Sequence, residues 1–163
     1  MAIVIEDGSI VSGATSYASE AELQAYADAR GVIIAGLAVE DLIKAMDYLE
    51  VQPFIGLKAT QGQPLQWPRD GVVIDGWAYT STNLPDELKE AQLVIAMGID
   101  QGLDPLANID PGIKRTRVKA GSVESEKEYQ DGASARAVSV AISRALAKLV
   151  AAGGGSNFAV TRG

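Results

Sequence analysis

The sequence predicts a mainly α-helical fold: a bundle of about four helices carrying a long ordered loop and an inserted β-hairpin. Three observations lead there. Hydrophobic residues make up 47% of the 163 positions but aromatics only 6%, and much of the apolar content is Ala, the strongest helix former and one that lets helices approach closely. Several segments place apolar residues at spacings of three and four between recognisable caps. One segment, Ile113 to Tyr129, instead alternates charge at a period of two. The length suits a single domain with its own core. We expect that domain to cover residues 1–152, followed by a flexible tail, 153–163.

Ala2 to Ile5 is a short β-like run closed by the turn pair Asp7-Gly8. Ser19-Glu20-Ala21-Glu22 has the capping-box pattern, so a first helix is expected from Glu20 to about Arg30, with Leu23, Tyr26 and Ala27 inward and Gly31 as its left-handed stop. A second helix is expected from near Val39 to about Val51, ended by Pro53, with Leu42, Ile43, Met46 and Leu49 facing the core. Pro53 to Ser81 is rich in Gly and Pro and holds both Trp residues. It reads as a long ordered loop with a short strand at Val72 to Ile74. Within it, Trp67 is expected as a buried latch, Pro68 as the restraint on its backbone, and Arg69 as a fork of donors to nearby carbonyls or a carboxylate.

Pro85 suits the first turn of a third helix running to about Gln101, apolar almost all round from Ala91 to Ile99 and so central to the bundle. The hairpin follows, its basic arm Lys114, Arg115, Arg117 and Lys119 facing an acidic arm Glu124, Glu126 and Glu128. Opposed charges on paired strands are worth roughly 0.2–1 kcal/mol each, too little to hold a lone ribbon, so the hairpin should lean on a neighbour. A fourth helix is expected from Ser134 to Ala152 with Val138, Ala141, Ile142, Ala145, Leu146, Leu149 and Val150 on one stripe. The glycines 153–155 then lead to a tail carrying Phe158 and Val160.

The chemistry suggested by these residues is sparse. No His and no Cys are present, which removes the commonest general base, thiolate nucleophiles and most zinc sites. Phosphate-cradling and hydrolase motifs are missing too. Asp100, Asp104 and Asp110 lack the ligand spacing of a calcium loop. The expectation is no enzyme, no cofactor and no metal. The formal charge of -7 opposes contact with nucleic-acid phosphates, no run approaches the roughly 20 apolar residues of a membrane span, and a soluble protein made in a cytoplasm is expected.

The order EDGSIVSGATSY, ASEAELQAYADARG, KAMDYLE, QPLQWPRDGV, LPDELKEAQ and IKRTRVKAGSVESEKEY resembles a family of tailed-phage head-tail connector (adaptor) proteins, whose related chains are often labelled DnaT-like single-stranded-DNA-binding proteins. The resemblance covers roughly Glu6 to Tyr129. It implies a structural virion protein at the head-tail interface, a homo-oligomeric, dodecameric ring between the portal protein and a downstream tail or head-completion protein, with double-stranded DNA passing through unbound. In that setting the charged hairpin becomes an intersubunit element, and Leu146, Leu149, Val150, Phe158, Val160 and Thr161 become portal-docking residues. The alternative reading of the same chain is a single-stranded-DNA-binding replication accessory protein.

Overall fold

The computed structural model describes residues 2–106, 113–119, 124–129 and 140–151. The chain divides into two compact units, Met1–Leu103 with Ser139–Gly163, and Asp104–Val138. The four expected helices and the strand pair expected between Ile113 and Tyr129 are present, but the first unit is a small mixed domain in which short strands occupy the expected loop, rather than a helical bundle. It contains helices α1 (Glu20–Asp28), α2 (Ala38–Glu50), α3 (Asp86–Asp100) and α4 (Val140–Leu146), and strands β1 (Leu57–Lys58), β2 (Arg69–Asp70), β3 (Val72–Ile74) and β4 (Trp77–Tyr79). The second holds β5 (Ile113–Lys119) and β6 (Glu124–Tyr129). The described strands pair as two-stranded antiparallel ribbons: β1 with β2, β3 with β4, β5 with β6.

The expected helix signals act locally as chemistry dictates. Ser19 Oγ accepts from the Glu22 N–H at 3.2 Å while the Glu22 carboxylate accepts from the Ser19 N–H at 2.7 Å. Burial works against the ionised Glu22, but these bonds and Lys89 hold its carboxyl below the usual range. α1 ends at Asp28, two residues early, and Gly31 takes the left-handed φ of 67° that stops the chain. Arg30 turns back over the Tyr26 ring, 3.3 Å from its centre. Pro85 is the N-cap of α3 rather than its first helical residue.

α3 is central, packing against α1, α2 and α4, and it buries Leu88, Ala91, Leu93, Ile95 and Ala96. Its apolar surroundings also enclose Gln92, which is fully buried and fully used. Gln92 Oε1 accepts from the N–H groups of Tyr17 and Ala18 at 2.9 and 3.0 Å, and Nε2 donates to Ser16 Oγ and the Leu42 carbonyl at 2.8 and 3.1 Å. One amide thereby ties the approach to α1, the body of α2 and α3 together. That satisfies a side chain whose burial without partners would cost several kcal/mol.

The N-terminal run forms an isolated parallel bridge between Ile5 and Ser16, with the Val4 carbonyl accepting from the Thr15 N–H at 2.8 Å and the Glu6 N–H donating to the Ser16 carbonyl at 2.8 Å. The loop after it is knotted by Glu6, another fully buried side chain, whose carboxylate accepts from the N–H groups of Gly8, Ile10 and Val11, each at 2.9 Å.

α4 is shorter than the stripe predicted, and residues 134–139 lie outside the described part. After Leu146 the chain turns, and Val150 forms an antiparallel bridge with Phe54. The Ile55 N–H donates to the Leu149 carbonyl at 2.9 Å and the Ala151 N–H to the Pro53 carbonyl at 2.8 Å. Those bonds compete with another helical turn and win because they also satisfy the backbone of the Phe54 loop.

Candidate functional site

The loop from Pro53 to Ser81 is built around Trp67, which is fully buried. Its ring meets Phe54 edge-to-face, with centroids 5.9 Å apart and planes at 78°, and its backbone N–H donates to Tyr17 Oη at 3.1 Å. Burial pushes the Tyr17 hydroxyl pKa well up, so it stays a neutral hydroxyl. The indole N–H, expected to find a partner, has none among the described residues. The Trp67–Pro68 peptide is cis.

Arg69 behaves as the expected fork. Nε donates to the Ile55 carbonyl at 2.8 Å, one terminal nitrogen to the Gln66 carbonyl and amide oxygen at 3.2 and 2.9 Å, and the other to the Phe54 and Gly56 carbonyls at 3.3 and 2.8 Å. Its acceptors are neutral oxygens, while Glu50 is taken by the Gln66 N–H at 2.9 Å. Trp67, Pro68 and Arg69 are therefore all buried, with the guanidinium spent on carbonyl and amide oxygens of its own loop.

The second tryptophan does the opposite. β3 and β4 form a hairpin through Asp75 and Gly76, both at positive φ (52° and 85°). That is the two-residue turn favoured by Asp-Gly, and the sequence VVIDGWAY carries its signal. Trp77, immediately after the turn, is 77% exposed, and Val73 on the neighbouring strand is 56% exposed. On this short, tied hairpin the described residues leave most of the indole in water. The tie is Lys148, whose Nζ donates to Asp75 Oδ2 at 2.5 Å and lies 3.5 Å from Glu87. Tyr79, two residues beyond Trp77 on the same strand face, is half-buried.

The remaining predicted positions fall elsewhere. In the ribbon of the second unit the register opposes Arg115 to Glu128, Arg117 to Glu126 and Lys119 to Glu124, as the charges suggested, while an irregularity after Ile113 leaves Lys114 outside the paired register. Leu146 and Leu149 are buried in their own chain and Val150 belongs to the bridge with Phe54, so they form no outward docking stripe. Phe158, Val160 and Thr161 lie outside the described residues. Asp100 accepts from the N–H groups of Ala35 and Gly36, Asp104 from that of Leu106, and Asp110 is undescribed. No cluster of three or more metal-ligating acids occurs among the described residues, and no described helix is long and apolar enough to cross a membrane.

A family model described as "Putative DnaT-like ssDNA binding protein" matches residues 1–163, the whole chain. The chain belongs to this family. No curated protein and no solved structure matches it. The family finding corrects the head-tail adaptor expectation, which rested on the order of short motifs. A description in terms of single-stranded DNA conflicts with a virion ring docked on a portal and a tail protein around unbound double-stranded DNA. The resemblance that implied an intersubunit hairpin and portal-docking C-terminal residues no longer supports those roles. The alternative reading is the one the family description matches.

Proposed function

We propose that this chain is a single-stranded-DNA-binding protein that engages bases more than phosphates, with Trp77 as its main stacking surface. The full-length family match carries the reading, and the exposed indole is the structural feature that supports its mode. Every base has a π-face, so stacking on Trp tolerates sequence and contributes about 1–3 kcal/mol per base. A charge of -7 disfavours phosphate neutralisation, and the basic arm in β5 is largely opposed by glutamates in register. Binding is therefore shallow in its salt dependence and modest in affinity, since each released counterion would add about 0.7 to the salt slope.

The test is fluorescence titration of the full chain with oligo-dT. Saturable quenching is expected, because Trp67 is shielded and Trp77 is in water. Trp77→Ala should weaken binding, read by anisotropy of a labelled oligonucleotide, about 5- to 150-fold, which corresponds to one stacking contact. No binding by the parent protein at concentrations up to about 10⁻⁴ M, the weak end of non-specific association, would overturn the reading.

A further inference from the structure

The N-terminal loop and the segment leading into α3 line an open surface cleft of about 400 Å³, whose walls include the exposed Asp7, Thr82, Asn83 and Asp86 and the half-buried Tyr79 and Lys89. That is the small end of the range of ligand pockets, about 300–1,000 Å³. Its walls are fixed to each other. The loop is knotted by the Glu6 carboxylate, and Gly8, at a φ of 103°, packs so closely that a Cβ there would lie 2.2 Å from the Thr82 carbonyl oxygen. Tyr79 supplies an aromatic wall one strand repeat from Trp77. Asn83 and Asp86 are exposed at the rim of the cleft, where the Asn83 amide and the Asp86 carboxylate meet water rather than another described side chain, so a ligand reaches them by displacing water. Lys89, the basic residue of the lining, is held by Glu22 at 3.1 Å.

We infer that this cleft is a base-reading pocket that takes a guanine from a single strand stacked at Trp77. The inference rests on the single-stranded-DNA reading and adds to it a specificity. The lining chemistry selects the base. A carboxylate only accepts, and its two oxygens suit two adjacent donors. On the pairing edges of the four bases only guanine offers that pair, N1–H beside N2–H₂. Cytosine and adenine present one amino group beside an acceptor nitrogen, and thymine sets its single N–H between two carbonyls. The Asn83 amide can donate to guanine O6, and the Tyr79 ring can stack on the base, the manner in which splayed single-stranded bases are recognised. The acidic lining repels phosphate, so a base enters and its backbone stays outside. Trp77 and Tyr79 are two residue steps apart along β4, roughly 7 Å, within reach of one extended nucleotide.

The experiment compares a dT oligonucleotide with the same oligonucleotide carrying one central dG, both titrated against the full chain. In parallel, dGMP and dCMP are titrated against isotope-labelled protein and followed by NMR. The single dG should raise affinity about tenfold, in line with one bidentate base contact. Asp86→Asn and Asn83→Ala should each abolish the difference between the two oligonucleotides, with circular dichroism confirming that the variants fold. dGMP, and not dCMP, should shift the Asn83 side-chain amide. Equal affinity for both oligonucleotides with no dGMP shift overturns the pocket while leaving stacking at Trp77 intact. A dGMP shift without oligonucleotide binding would sustain the pocket and overturn the single-stranded-DNA reading.

Discussion

Replacing Trp67 with alanine tests whether the loop latch is what holds the Pro53 to Ser81 segment on the helices. The side chain is fully buried against Phe54, and truncating a buried Trp costs about 3–5 kcal/mol, of which the edge-to-face pair accounts for about 0.5–1.5. The indole N–H lacks an acceptor among the described residues. Its removal therefore forfeits no hydrogen bond and relieves a desolvated donor, which places the expected loss near the bottom of the range, about 3 kcal/mol. For a domain of this size each kcal/mol moves the melting temperature by about 2–4 °C, so a fall of roughly 6–12 °C is expected. Trp67→Phe supplies the control, because it keeps an aromatic edge for Phe54 and discards only the stranded N–H. It should lose less than half as much. Thermal melts by circular dichroism decide the matter. An alanine variant melting within about 3 °C of the parent would refute the latch, and a phenylalanine variant as unstable as the alanine one would show that the indole N–H does form a bond.

Gln92→Leu keeps the volume but leaves the Tyr17 N–H without its acceptor and Ala18 with only the longer contact to Ser16 Oγ at 3.3 Å. A loss of about 2–4 kcal/mol in urea denaturation is expected, and a loss under about 1 kcal/mol would mean that the amide is not the junction of the helices. Asp41 is buried in the first turn of α2 with one carboxylate oxygen unpartnered. Burial first, then Asp100 and Glu40, raise its pKa against the pull of Lys44. A raised folded-state pKa means that the ionised carboxylate costs stability above that pKa, and that the cost vanishes below the ordinary carboxylate range, where both states are protonated. Asp41→Asn should therefore gain on the parent as pH rises from acid to neutral in denaturation series, and an advantage that is flat or shrinks with pH would contradict this.

The sequence alone was sufficient wherever the deciding contacts are local. Ser19 and Glu22 cap α1 because their partners are three residues away, Gly31 stops the chain because only its own backbone is asked to turn, and the basic and acidic positions of β5 and β6 fall opposite each other in register. Trp67 and Arg69 were legible as a latch because a Trp-Pro-Arg run in a loop has few uses except anchoring. The Asp-Gly turn before Trp77 was equally legible, and its hairpin was missed only because the glycine-rich surroundings were read as loop. Tertiary structure alone decided the rest. Nothing near Gln92 or Glu6 in the chain marks them as buried, since Gln92 answers to groups some 75 residues away and Glu6 depends on how its loop closes. Two tryptophans ten residues apart have opposite fates because only one of them meets Phe54 and Tyr17. α4 ends early because its last residues find better hydrogen-bond partners at Pro53 and Ile55 than in another helical turn. Burial and exposure are properties of what arrives from elsewhere in the chain, and the stacking surface proposed at Trp77 rests on an indole that the described residues leave 77% exposed.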